Sequence, residues 1–257
     1  MLTTDLIIYS GKFDGITIQD TTQFGYGGIY LTGVISVPEN EEIVFLAGSH
    51  PELAADFHLI VDGNLTAEGT IDDPVIFDKY LTGKWYGIVI SGTGIADFEY
   101  CEFTNAQFPL NCVGEVWVDN CEFYFNDRGI YLKKPLRYMV ENTYIHDCGY
   151  FGLFLRDSHK PIYRSGIYNS RFTDSNYGLW FYNASAYVAS DSIHANKYAG
   201  ILANRGSNPV ITNSVVSNTY NGVTDYPEIR ISGTSYPVID KRFNDITFGN
   251  SYSIYRS

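Results

Sequence analysis

One phrase returns again and again between about Trp85 and Asn250: an aromatic residue, a glycine, a short apolar run, a loop, then Asn or Asp followed by a small residue and an apolar one. The glycine falls at Gly129, Gly152, Gly178, Gly200 and Gly222, spaced 23, 26, 22 and 22 residues. The Asn/Asp marker falls at Asn120, Asn142, Asn169, Asp191 and Asn213, spaced 22, 27, 22 and 22. Two independent markers keep one beat, and both stretch across residues 149–175, where one repeat carries a longer loop. A unit this short cannot bury its apolar face alone. It must stack on its neighbours, which makes the chain a solenoid.

Within each unit the residues after the glycine alternate as in a strand with one face buried. Ile88/Ile90, Ile130/Leu132, Leu153/Leu155, Leu179/Phe181 and Ile201/Ala203 are expected to point inward. A second strand adds the inward column Phe103, Phe123, Ile145, Phe172, His194 and Val216, with a column of small residues beside it: Cys101, Cys121, Thr143, Ser170, Ser192 and Ser214. His194 therefore reads as a core histidine. Asn105, Asp147, Asp174, Asn196 and Asn218 suit turns, because Asn and Asp tolerate the left-handed region and bond their own backbone. No stretch sustains a 3.6-residue apolar period, so the class is all-β.

Composition narrows the roles open to the chain. With 45% hydrophobic and 18% charged residues it is a folded chain with an ample core. A net charge of −12 argues against non-specific nucleic-acid binding, which needs cations to displace counterions from phosphate. No apolar run reaches the ~20 residues of a spanning helix. The first residues, MLTTDLIIYSGKFDG, show no basic leader followed by an apolar core, so no signal peptide is read there. Cys101, Cys112, Cys121 and Cys148 include no C-x-x-C pair. They read as buried thiols, with a Cys101–Cys121 disulfide as the alternative.

Residues 1–32 are poorly patterned, with a turn at GYGG 25–28, and read as an N-terminal cap or first irregular coil. Residues 33–257 read as one β-domain, continuing or partnered beyond residue 257. Its early part contains VDGNLTAEGTIDDPVIF (61–77) and KWYGIVISGTG (84–94). These runs resemble the opening of right-handed parallel β-helix domains in secreted and surface proteins of microbes. The later coils resemble the repeats shared by pectate-lyase-like enzymes, tailspikes and noncatalytic surface modules. The resemblance spans roughly residues 33–250. It implies a single-stranded right-handed parallel β-helix of about nine to ten coils at ~4.8 Å per coil, and an extracellular or cell-surface location. It leaves the activity open, since one fold hosts many functions.

The informative departure lies on the outward side. Between the inward pairs stand Val89, Tyr131, Phe154, Trp180 and Leu202, where a solvent face is ordinarily polar. Three successive coils thus stack Tyr131, Phe154 and Trp180 into an apolar strip, beside the column Lys133, Arg156, Tyr182 and Asn204. Of 17 basic residues, six (Lys133, Lys134, Arg137, Arg156, Lys160 and Arg164) fall close together here, a local reversal of sign on an acidic chain. These seven strip and column residues are the expected ligand-binding set. An extended acidic glycan fits them, by ring stacking and by Arg or Lys on carboxylate. A protein partner, or cover by the loop 156–165, are the competing occupants.

The resemblance also implies a lyase alternative. Polysaccharide lyases on this fold use a Lys or Arg base and neutralise the uronate carboxylate, often with calcium. Lys133, Arg156, Asp157 and His159 (with Lys160) are the candidate catalytic groups. Against it, no cluster of acids on adjacent coils is read that would hold calcium, and no acid pair for a hydrolase. The expectation is a noncatalytic surface module without cofactor or metal. Self-association, end to end or lateral, is a third reading, in which Ile254 lies on the final edge strand.

Overall fold

The computed structural model describes residues 6–8, 11–12, 16–18, 29–158, 165–217, 219, 227–240, 245–247 and 254–257. GYGG 25–28, His159, Lys160, Arg164, Asn218 and Gly222 lie outside them. Every described element is a short strand, and the strands form three parallel sheets of 11, 11 and 10 strands. Each sheet takes every third strand in chain order, so the chain winds through sheets one, two and three once per coil. Strands 6–8, 11–12 and 16–18 pair with Ile29–Leu31, Val34–Val37 and Glu42–Leu46, so the winding is already present there.

The coils are short because each strand needs only two to seven residues to cross one face, and stacking supplies the rest of its burial. Like residues meet like. Phe77, Phe103 and Phe123 stack with centroids 4.9 and 4.4 Å apart, and Ile145, Phe172, Ile193 and Val216 continue that column in register. The inward residue of the late coil is therefore Ile193. His194, expected inside, faces outward and accepts from Arg171 Nε at 3.2 Å.

The slip has a cause. Single residues with positive φ turn the chain between sheets three and one: Asn120, Asn142, Asn169, Ser190 and Asn213. In the fourth of these coils the turn is Ser190, not Asp191, and the next turn is Ala195, not Asn196. Asp191 and Asn196 have moved inside, to 2% and 0% exposure. Asn196 and its counterpart Asn126 become rungs, taking the amides of Ser175 (3.2 Å) and Ala106 (2.7 Å).

Asp191 joins the buried small-residue column, which is a ladder of side chain to amide. The amide of Cys101 donates to Cys121 Sγ (3.4 Å), that of Cys121 to Thr143 Oγ1 (3.4 Å) and that of Thr143 to Ser170 Oγ (3.2 Å). Ser170 N–H donates to Asp191 Oδ1 (2.8 Å) and Asp191 N–H to Ser214 Oγ (3.2 Å). Thr143, Ser170 and Ser214 also give their own proton to the carbonyl two residues back, at 2.7, 2.8 and 3.0 Å. Once ionised, the Asp191 carboxyl has no such proton to give. Among the described residues Asp191 Oδ2 has no hydrogen-bond partner, and burial pushes the carboxyl up to about 8. All four cysteines are free and buried, as read from the sequence.

The marker glycines are explained by backbone meeting backbone. A Cβ at Gly129 would lie 1.9 Å from the Gly152 carbonyl oxygen, and one at Gly152 would lie 2.7 Å from that of Gly178. The coils touch along this line, so a methyl group has no room.

Two outcomes are expected. Gly129→Ala forces neighbouring coils apart and lowers stability by ~1–3 kcal/mol; an unchanged denaturant midpoint would show that the coils do not touch there. For Asp191 the folded carboxyl titrates near 8 against an ordinary value of 3.8. The folded state therefore holds the extra proton, and stability falls as pH rises through that window by ~1.4 kcal/mol per unit. Asp191→Ser restores a proton donor, raises stability at pH 8 more than at pH 4, and flattens the profile. Parallel profiles for the two proteins would refute this.

Candidate functional site

The second sheet brings the seven expected ligand residues onto one outer face. Tyr131, Phe154 and Trp180 pair in register on Ile130–Lys133, Phe151–Arg156 and Tyr177–Tyr182. Their rings lie nearly parallel, Tyr131 on Phe154 at 5.1 Å and 19°, Phe154 on Trp180 at 4.5 Å and 22°. Leu202 closes the strip at 7% exposure. Lys133, Arg156, Tyr182 and Asn204 form the adjoining column, also in register. Trp180 Nε1 donates to Asn204 Oδ1 (3.4 Å), and the guanidinium carbons of Arg156 and Arg205 lie 5.3 and 5.9 Å from the Tyr182 ring centre.

This stacking revises how such a face can bind. Coil spacing turns the ring faces toward one another, so the partly exposed strip presents mostly ring edges. A sugar cannot stack broadside along its middle. Aromatic edges are electropositive, so edges and guanidinium together suit an anion.

Of the candidate catalytic residues the structure describes Lys133, Arg156 and Asp157, and it pairs Asp157 with Arg156. Asp157 is a turn residue, with φ 57°, held by Asn183 Nδ2 (2.8 Å to Oδ1) and Arg156 Nε (3.1 Å to Oδ2). These bonds, Asn183 first, hold its carboxyl below the ordinary range, which suits an anion and not a proton donor. Hydrogen bonding to Tyr131, then to Asp157, raises Arg156 further above its ordinary value, so it stays a cation rather than a base. Lys133 is exposed at the strip's edge.

A second aromatic line on the same sheet escaped the sequence reading. His58 lies against Tyr86 (4.1 Å), Tyr86 near Phe108 (6.2 Å), and the Arg128 guanidinium 3.9 Å over Phe108 and 5.9 Å from Tyr150. Tyr150 stacks on Trp180 at 6.2 Å and 26°. Line and strip meet at Trp180, which also contacts Tyr177 (5.3 Å). The signal was an aromatic before some of the glycines, as in Tyr86-Gly87 and Tyr177-Gly178. Partial burial beneath this line lowers the pKa of His58.

Acidic residues do stand on adjacent coils, away from the aromatic strip. On the third sheet, Glu68, Glu99, Asp119 and Glu141 stand in one outward column in register. Beside them Asp97, Trp117 and Met139 form another, and the two enclose a cleft of about 260 Å³. Burial first, then Glu68, Glu99 and Asp119, raise the Asp97 carboxyl above its ordinary value. Among the described residues no three His, Cys, Asp or Glu converge to hold a metal ion. On the first sheet, His146 lies between Glu122 Oε1 (3.0 Å) and Asp147 Oδ2 (2.7 Å), its ring against Tyr144 at 4.1 Å.

Three sheets wound once per coil, with columns in register and left-handed turn residues, define the class of fold: an all-β parallel β-helix. A family model described as the right handed beta helix region matches residues 70–165. Among solved structures, the chain is similar to the A-module of mannuronan C-5 epimerase AlgE4 from Azotobacter vinelandii, with 14% identity and a TM-score of 0.46, covering 98% of this chain and 83% of that one. It is also similar to the Dettilon tailspike protein gp208, with 10% identity and a TM-score of 0.48, covering 98% of this chain and 62% of that one. No curated protein sequence matches the chain.

Proposed function

We propose that the chain is a noncatalytic surface module that binds an extended acidic polysaccharide along the outer face of its second sheet, outside the cell. The observation that carries this reading is the stacked strip Tyr131–Phe154–Trp180 flanked in register by Lys133 and Arg156. A flat face several coils long suits a polymer better than a compact ligand. Electropositive ring edges and a permanent guanidinium suit carboxylate or sulfate. Trp180, where strip and line meet, is the central contact. The engaged state of Asp157 and Arg156 supports a binding role over the lyase alternative. Among the described residues no helix is long and apolar enough to cross a membrane.

The test is retention on polygalacturonate, with a neutral glucan as the control. Arg156→Gln and Trp180→Ala are each expected to weaken retention about tenfold, with unfolding midpoints checked for both. Retention should fall as salt rises. Equal retention of wild type and both variants, or equal retention on the neutral glucan, would refute the reading. Appearance of the ultraviolet absorbance of an unsaturated uronate would instead establish the lyase.

A further inference from the structure

The third sheet presents an outer face that the proposed polysaccharide site does not use, and its charge has the opposite sign. Strands Asn64–Glu68, Ile95–Glu99, Glu115–Asp119 and Arg137–Glu141 point six carboxylates outward and a single guanidinium, Arg137. That guanidinium is already engaged, 3.4 Å from Glu115. Glu99, Asp119 and Glu141 follow one another at the coil spacing, an arrangement of like charges that opposes stacking. Asn142 Nδ2 bonds Asp119 Oδ1 at 2.8 Å and Asn169 Nδ2 bonds Glu141 Oε1 at 3.4 Å, but neither amide brings a positive charge.

The floor between these acids is apolar. Trp117 and Met139 lie side by side in register and line the cleft with Asp97, Glu99, Asp119 and Glu141. At one end Tyr168 folds its ring across Gly166, where an added Cβ would meet the ring hydroxyl at 2.4 Å. A hydrated metal ion gains nothing from this floor. A guanidinium or ammonium on an alkyl stem gains twice, from ring and thioether beneath and from carboxylates beside. The chain shows half of the arrangement itself: the Arg137 guanidinium carbon lies 6.0 Å from the Trp117 ring centre, on the rim.

We propose that this face docks a basic polypeptide segment of a partner protein, seating an arginine or lysine side chain on Trp117 between Asp97 and the Glu99–Asp119–Glu141 column. The complementarity is of charge and of form: an open cleft on a sheet face, with an apolar floor for the stem and carboxylates beside it. The Asp97 carboxyl is raised first by burial and then by Glu68, Glu99 and Asp119, and the second part agrees with negative potential here. This site is independent of the polysaccharide reading, since it lies on a different sheet and seeks the opposite charge.

The test is titration of the full chain with a short arginine-containing peptide at low salt. Binding should saturate, weaken with salt, and lose about tenfold in the variant Glu99→Gln/Asp119→Asn/Glu141→Gln. Trp117→Ala should lose a further several-fold, while Trp180→Ala on the second sheet leaves binding unchanged. Unfolding of the peptide-free triple variant supplies a second measurement. Relieved of repulsion, it should melt no lower than wild type, so a loss of binding cannot be assigned to misfolding. Equal peptide affinity for wild type and the triple variant overturns the proposal. So does displacement of the peptide by spermine or calcium at concentrations below its own, which would mark a site for free cations.

Discussion

Parallel backbone hydrogen bonds hold each coil ~4.8 Å from the next, and every other feature of the molecule inherits that spacing. Inside, it stacks Phe103 on Phe123 and threads Cys121, Thr143 and Ser170 into a ladder whose rungs are one coil apart. Outside, it packs Tyr131, Phe154 and Trp180 face to face. The glycine line shows how tightly the spacing is held, since carbonyl oxygen stands where a methyl group would go. Side chains decorate this frame without setting it. The chain can vary its surface chemistry from coil to coil while the path of the backbone stays the same.

The two outer faces use that freedom in opposite ways. The second sheet gathers rings and cations, the third gathers carboxylates around one ring and one thioether. An acidic chain of net charge −12 has thus segregated its charges by sheet. Both faces are periodic, so a ligand that extends along the axis meets repeated contacts. Affinity then accumulates over several weak subsites rather than in one deep pocket. The same logic explains why no enclosed cavity is needed for either role.

Much of this was legible in the order of residues. Inward pairs such as Leu153/Leu155 follow from strict alternation, and the aromatic strip follows from reading the residues between them. Where the reading slipped, the reason is local. The coil from Asn169 to Ser190 is one residue short, and Asp-Ser-Ile at 191–193 matches the turn marker as well as it matches the interior ladder. Only pairing of Phe172 with Ile193 decides the register. The acidic column was missed for a different reason, because attention followed the strand after the glycine. Its signal was present: an acid stands immediately before three successive turns, in Glu99-Tyr100, Asp119-Asn120 and Glu141-Asn142.

Asp191 gives the rod a mechanical character. In a stack of coils each unit is held by its two neighbours alone, so stability is a sum of local joints. A joint whose buried carboxyl loses its proton weakens while the joints on either side are untouched. As pH rises toward 8 the stability lost is that of the joint at residue 191. One misplaced acid makes a solenoid that looks uniform into an object with a fracture plane.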